Sequence, residues 1–217
     1  MATHETALVT RAARAALLRG IYAIVNEGVP DPIAITRAAL EGGVGIVQYR
    51  AKRGIVPEHL QAMRALTRDA CALLIVNDDW RAARDHACDG VHLGPDDDGF
   101  LDVAPIRAAL PQALIGLSCG TPEELRAAER LDVDYYGVGA VYATASKADA
   151  GAPIGIAGLR AVVAESTRPV AAIGGIALAS IDEVRATGVA MAAVISAISA
   201  APDPRAASAA LVRGFRG

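Results

Sequence analysis

The sequence predicts an α/β protein: a single TIM-type (β/α)8 barrel with an extra N-terminal helix. Three observations predict it. Eight short apolar runs recur along the 217 residues. Amphipathic segments rich in Ala and Arg separate them. The runs are apolar throughout rather than alternating, as strands are when a parallel sheet is covered on both faces. A doubly wound open sheet is the rival. No G-x-G-x-x-G turn follows the first run, and eight βα units fit the compact end of the barrel's range, roughly 200 residues.

In chain order the runs are Ile21–Val25, Val44–Tyr49, Leu73–Val76, Gly90–Leu93, Leu114–Leu117, Tyr135–Val138, Val170–Ile173 and Ala192–Ile195. Each has the length of a buried strand. Between them, Pro57–Cys71, Ala104–Leu110, Pro122–Leu131, Gly158–Thr167 and Ser180–Thr187 carry helical periodicity. Several open with Pro or Ser, where a fixed φ or a side-chain acceptor favours a first turn. Residues 1–18 are expected to form a helical extension outside the barrel, with residues 19–217 forming the catalytic barrel. No low-complexity linker divides the chain, so one domain is expected.

Composition narrows the function classes. The formal net charge is −3 and the pI about 5.8, with no basic stripe or tail, which argues against nucleic acid and anionic membrane as partners. Aromatic residues are 4 %, too few for the stacking platforms that single strands need. Cys71, Cys88 and Cys119 are odd in number and lack paired spacing, which suits a reducing compartment without a disulfide frame. Residues 1–20 carry Glu5, Arg11, Arg14 and Arg19 and no apolar signal-peptide core. The longest uncharged run, Ala186–Pro202, falls short of a membrane span. The expectation is a soluble, cytoplasmic protein with small-molecule partners.

Of 21 cationic side chains, only Lys52 and Lys147 are lysines. The chain otherwise uses arginine, a planar fork of donors, whereas lysine is a compact, strongly hydrated point charge. Lys52 closes Val47-Gln48-Tyr49-Arg50-Ala51-Lys52 and Lys147 closes Tyr142-Ala143-Thr144-Ala145-Ser146-Lys147. In a barrel both lie at C-terminal strand ends, where active sites sit. Two ammonium groups there suit one anionic ligand; compositional bias is the plain alternative.

Alternation along the second run puts Gln48, Arg50 and Lys52 on one face and Val47 and Tyr49 on the other. That column suits a ligand with a hydrogen-bonding ring and an anionic group. The third run leads to Asn77-Asp78-Asp79 and the fourth to Asp96-Asp97-Asp98. Carboxylates on neighbouring strand ends can share Mg2+, which takes one or two carboxylates plus phosphate oxygens and water. Helix or turn capping is the competing use, notably for Asp78. The residues alone do not choose among Asp96, Asp97 and Asp98. His92 reads as a strand histidine near the barrel core.

The fifth run ends in Ser118, a hydroxyl donor or a simple turn residue. Cys119 beside it has no evident charged partner to activate a thiolate. The sixth leads to Thr144 and Ser146, then to Ala148–Gly155, a candidate mobile loop. Gly174-Gly175 and Ile195-Ser196 follow the last two runs, where backbone N–H groups commonly hold phosphate.

In order, these segments resemble the thiamine phosphate synthase family. The matching pieces are Gln48-Tyr49-Arg50-Ala51-Lys52, Val76-Asn77-Asp78, Gly90-Val91-His92-Leu93-Gly94 with Asp97, Gly116-Leu117-Ser118, Thr144-Ala145-Ser146-Lys147, Ile173-Gly174-Gly175-Ile176 and Val194-Ile195-Ser196-Ala197-Ile198. No single motif is diagnostic; seven in order at seven strand ends make a specific match, running from Ile21 to Val212. The family is a TIM barrel that joins 4-amino-2-methyl-5-hydroxymethylpyrimidine diphosphate to a thiazole phosphate and releases diphosphate. The resemblance implies that Gln48, Arg50, Lys52, Asn77, Ser118 and Lys147 hold the pyrimidine diphosphate, with Tyr49 and Ala51 in the same stretch. It implies that Thr144, Ser146, Gly175, Ile195 and Ser196, with Ala145 between the first two, hold the thiazole phosphate. Asp78 and Asp97 would bind Mg2+, and Arg50, Lys52, Ser118 and Lys147 would be the catalytic groups.

Four positions depart from the family pattern. Pro95 and Gly120 stand where the family often has Gln and His, Ser146 where Thr is usual, and Met191 where Gly is. None removes a proposed charge. Gly120 counts against the related thiazole tautomerase, which uses a histidine there.

The implied chemistry is dissociative. Lys52, Lys147, Arg50 and Mg2+ would oppose the charge growing on the leaving diphosphate, and the thiazole nitrogen would attack the resulting pyrimidine methylene cation. No general base is required. Two other classes compete: an isomerase of a phosphorylated small molecule, which would not need the acid pair, and a non-catalytic barrel that only binds thiamine precursors.

Overall fold

Eight parallel strands close on themselves in sequence order in the computed structural model, which describes residues 10–144 and 152–217. They are β1 (Gly20–Asn26), β2 (Ile46–Arg50), β3 (Leu73–Asn77), β4 (Gly90–Leu93), β5 (Leu114–Cys119), β6 (Tyr135–Val138), β7 (Val170–Ile173) and β8 (Met191–Val194). Closure is made by β8 on β1, in register from Gly20↔Met191 to Ala23↔Val194.

Period-two alternation divides seven of the eight strands between two cores; in β4 the alternate positions are Gly90 and His92. Tyr22, Ile46, Ile75, Leu114, Tyr135 and Met191 belong to the cluster that fills the lower barrel. Val47, Tyr49, Leu74, Val91, Ile115 and Tyr136 belong to the larger cluster shared with the helices. A strand buried on both sides needs apolar residues at every position, which is why the runs do not alternate.

The helices are α1 (Arg11–Ala15), α2 (Pro32–Glu41), α3 (Pro57–Asp69), α4 (Trp80–Asp85), α5 (Ala104–Ala109), α6 (Pro122–Ala128), α7 (Gly155–Glu165), α8 (Ile181–Arg185), α9 (Ser196–Ser199) and α10 (Pro204–Arg216). Their starts are chemically marked. Asp31, Asp79 and Asp203 accept from the third backbone N–H beyond them at 2.8, 2.8 and 2.9 Å, and Thr121 and Glu124 form a capping box at α6.

Most elements differ from expectation by one to three residues at an end, and three differences have a local cause or change the element. β2 begins at Ile46 because the Val44 N–H is taken by the Ala39 carbonyl at 3.1 Å. β8 ends at Val194, and Ile195 turns out with φ −118° and ψ −85° to start α9. The helix expected over Ser180–Thr187 is a 3-10 turn, Leu178–Ser180, followed by α8. Of the extension expected over 1–18, residues 1–9 lie outside the described residues, and the rest includes α1.

Arginine–aspartate clusters close the N-terminal mouth of the barrel. Asp89, fully buried, accepts from Arg14 Nε at 3.0 Å, Arg64 Nη1 at 3.3 Å and the Leu74 N–H at 3.0 Å. Asp134 accepts from Arg11 Nε at 2.6 Å, Arg107 Nη2 at 2.8 Å and the Ile115 N–H at 2.8 Å. Among the described residues no helix is long and apolar enough to cross a membrane.

Candidate active site

The inward face that is apolar low in the barrel becomes polar at the C-terminal strand ends. There a cavity of about 310 Å³ opens, lined on one side by Gln48, Arg50, Asn77, His92 and Ser118 and on the other by Gly174, Gly175, Ile195 and Ser196. Gln48, 2 % exposed, donates through Nε2 to the Tyr22 hydroxyl at 2.8 Å. Arg50 Nη1 donates to Asn26 Oδ1 at 3.3 Å. The Asn77 side-chain Nδ2 is buried and has no partner among the described residues. A buried amide donor without an acceptor is costly, and in a cavity wall it marks where a ligand acceptor belongs.

Asp78 and Asp97 meet at the rim. Asp78 has φ +66°, a left-handed conformation that non-glycine residues seldom adopt and that clusters at functional sites. Its N–H is held by the His92 carbonyl at 2.9 Å, and Lys52 Nζ donates to its Oδ2 at 2.5 Å. Asp97 accepts from the Gly94 N–H at 2.6 Å and has the Asp78 carboxyl as its neighbour. Burial, then the neighbouring Asp78, pushes the Asp97 carboxyl up to about 6. The capping alternative falls to Asp79, which occupies the start of α4. Asp98 pairs instead with Arg81 at 2.9 Å, and Asp96 is exposed.

Among the described residues no group of three or more His, Cys, Asp or Glu forms a metal cage. Two adjacent carboxylates fit Mg2+ rather than zinc, because Mg2+ completes its shell with phosphate oxygens and water.

Across the cavity, Gly174 and Gly175 have φ +100° and +66°. A Cβ at Gly175 would stand 2.7 Å from both the Ala143 carbonyl oxygen and Tyr142 Cβ, so only glycine lets the two loops approach this closely. The Val141 N–H donates to the Ile173 carbonyl at 2.8 Å and the Tyr142 N–H to the Gly174 carbonyl at 3.0 Å, which pins the segment after β6 to the end of β7. Thr144 lines the cavity. The next candidates, Ala145, Ser146 and Lys147, lie outside the described residues, as do positions 148–151 of the expected loop.

The model of the thiamine monophosphate synthase family matches residues 21–198. The chain belongs to this family. It is 47 % identical over 190 residues to the thiamine-phosphate synthase of Herpetosiphon aurantiacus, covering 85 % of this chain and 90 % of that one. The thiamine-phosphate synthase of Moorella thermoacetica is 41 % identical over 196 residues, covering 87 % and 91 %. The solved thiamine phosphate pyrophosphorylase from Pyrococcus furiosus superposes with a TM-score of 0.84 at 36 % identity, covering 92 % of this chain and 96 % of that one.

Within the family frame, β2 and β3 bring Gln48, Arg50, Lys52, Asn77 and Asp78 together, with Ser118 on β5. Tyr49 needs a correction. Its ring turns outward into the helical layer, with the hydroxyl 3.1 Å from His59 Nδ1, because it sits one residue out of phase with Gln48 and Arg50. Ala51 likewise packs against the outer core. Either would reach a ligand only through its backbone. Burial pushes the Cys119 thiol up to about 12, an inert thiol at neutral pH.

Three residues escaped the sequence reading as site residues: Tyr22, Tyr135 and His92. His92 lines the cavity, its Nε2 3.1 Å from Ser118 Oγ and its Nδ1 3.1 Å from the Tyr135 hydroxyl. The available signal was glycine inside a strand, which marks close approach of another group. A Cβ at Gly116 would overlap the Tyr135 ring, and one at Gly137 would stand 2.9 Å from the His92 ring. Of the departures from the family pattern, Pro95 and Gly120 line the cavity, and the Gly120 N–H donates to Glu124 Oε2 at 2.5 Å. Met191 fills the inner core.

Proposed function

We propose that this chain catalyses thiamine phosphate synthesis, joining 4-amino-2-methyl-5-hydroxymethylpyrimidine diphosphate to 4-methyl-5-(2-phosphooxyethyl)thiazole with release of diphosphate, with Mg2+ as cofactor. The observation that carries the reading is the cluster of Lys52, Asp78 and Asp97 beside a cavity whose wall holds the Asn77 Nδ2, unpaired among the described residues. Cation and carboxylates lie side by side, an arrangement that suits a metal-bound diphosphate better than a neutral ligand.

Gln48 and Asn77 would hold the aminopyrimidine ring, and Arg50, Lys52, Ser118 and Lys147 the diphosphate. Asp78 and Asp97 would hold Mg2+, which when bound neutralises part of the charge on the leaving group. As the C–O bond breaks, the ammonium and guanidinium groups oppose the negative charge that develops, a preorganised electrostatic stabilisation. The chain's backbone at Gly175 and at Ile195-Ser196, with Thr144 and Ser146, would seat the thiazole phosphate so that its ring nitrogen faces the cation. The reaction asks for no general base. Gly120 offers no side chain to move a proton, which weighs against a tautomerase.

The test is release of diphosphate from the two substrates together, with and without chelator. Release that needs both substrates and is lost on chelation is expected. Calorimetry of Mg2+ with inorganic diphosphate gives a readout independent of turnover, and binding of diphosphate without any Mg2+ dependence would overturn the metal assignment.

A further inference from the structure

A chain of hydrogen bonds crosses the barrel beneath the cavity and ends on two groups that face it. Gln48 Nε2 donates to the Tyr22 hydroxyl at 2.8 Å. The Tyr22 and Tyr135 hydroxyls lie 3.0 Å apart. The Tyr135 hydroxyl lies 3.1 Å from His92 Nδ1, and His92 Nε2 lies 3.1 Å from Ser118 Oγ. The path runs through five strands that are far apart in sequence, with Tyr22 and Tyr135 separated by 113 positions.

The site is built rather than incidental. His92, Gly116 and Tyr135 share one register row across β4, β5 and β6, and the middle position has no side chain, so the two flanking rings can meet over it. Gly137 clears the space for the other edge of the His92 ring. Both tyrosines are buried, and burial pushes both phenols above their ordinary value, so each stays neutral with a single proton to donate.

With one proton per hydroxyl, a fully satisfied chain has two polarities. In one, protons point from Gln48 through Tyr22 and Tyr135 to His92 Nδ1; His92 then donates from Nε2 to Ser118, and the Ser118 proton is left for the cavity. In the other, every bond reverses, Gln48 turns its NH2 to the cavity, and Ser118 spends its proton on His92. The Gln48 amide is oriented for the first. An anionic ligand favours it too, because only then does Ser118 present a proton to it.

We infer that Tyr22, Tyr135 and His92 are positioning residues: a one-way relay that fixes Gln48 Oε1 as an acceptor on the β2 wall and the Ser118 hydroxyl as a donor on the β5 wall. The relay matches a ligand that donates from a ring amine at one end and accepts through an anionic group at the other. That choice of ligand rests on the pyrimidine diphosphate reading above. The His92 tautomer does not.

Long-range 1H–15N spectra of the full-length, ligand-free protein at pH 7 decide it. The chain has four histidines, and the His92 signals are those lost in His92→Gln. A neutral ring with its proton on Nε2 is expected. In Tyr135→Phe that preference should disappear, and kcat for diphosphate release should fall about tenfold, the effect of one hydrogen bond, with the KM for thiazole phosphate unchanged. Tyr136→Phe, one residue along and bonded outward to Arg168, should leave both readouts alone. His92→Gln, whose amide carries a donor and an acceptor at similar spacing, should retain more activity than His92→Leu. A proton on Nδ1, a charged ring at neutral pH, or a Tyr135→Phe protein with unaltered tautomer and kcat would overturn the relay. If the wild-type protein released no diphosphate from these substrates, the activity reading would fall, while the spectrum would still decide the relay.

Discussion

At the N-terminal mouth of the barrel each buried carboxylate is saturated with donors; at the C-terminal mouth two carboxylates are pressed against each other. Asp89 and Asp134 each take two guanidinium groups and a backbone N–H. The Arg11 guanidinium beside Asp132 holds its carboxyl below the usual carboxylate range. Asp97 moves in the opposite direction, driven up by burial and by Asp78. Asp78 in turn sits in a strained backbone conformation with the Lys52 ammonium beside it. The same residue types serve stability at one end and stored repulsion at the other, and an arriving cation would relieve that repulsion. Arginine clamps the closed end, where one planar fork reaches two different acceptors, as Arg11 does with Asp132 and Asp134; at the open end Lys52 stands with Arg50.

The largest test of that contrast is at the rim. Asp78→Ala or Asp97→Ala should lower kcat by about three decades or more, on the order of 4 kcal/mol, with the circular dichroism spectrum retained. Asp96→Ala and Asp98→Ala should be mild, and the reverse ranking would mean the wrong carboxylates have been chosen.

At the closed end, Asp89→Ala should cost about 3 kcal/mol of unfolding free energy, since it strips two guanidinium groups and a strand N–H of their acceptor. The KM values should not move while the protein is folded. Denaturant titration beside steady-state kinetics checks both halves, and a changed KM would show that the two ends are coupled.

Lys147→Arg keeps the charge and changes its shape. It should lose about two decades in kcat, near the effect of removing one oxyanion donor, with little change in Tm. A rate within about threefold of wild type, well under 1 kcal/mol, would reduce the scarcity of lysine to a compositional accident.

The smallest effect concerns Asp97→Asn without metal. A carboxyl raised from 3.8 to about 6 on folding binds its proton more tightly in the folded chain. Its stabilising contribution is therefore present below pH 4 and lost as pH rises through 6. Asn should thus raise the metal-free Tm at pH 7 by about 1–2 °C, and Mg2+ should stabilise only the wild-type protein. An unchanged or lowered Tm would mean that ionising Asp97, between its burial and Asp78, costs the folded chain nothing.

Much of this was legible in the chain. Unbroken apolar runs give a buried parallel sheet, and alternation puts Gln48, Arg50 and Lys52 on one face. The paired glycines and the acid-rich strand ends mark where a barrel keeps its chemistry. The sequence also contained the residue that meets Asp78, but composition could not separate Asp97 from its two neighbours. That choice needed the turn in which Gly94 hydrogen-bonds Asp97 and Arg81 draws Asp98 away.

His92 shows the limit most clearly. In sequence it is one polar residue in an apolar strand, and a core histidine is the sensible reading. Its role depends on Tyr135, 43 positions later, and on a glycine in the strand between them. Strand period is a local property of the backbone, so the sequence by itself determines which face a residue occupies. Which side chains meet across the barrel depends on closure and stagger of all eight strands, and only the tertiary structure decides that.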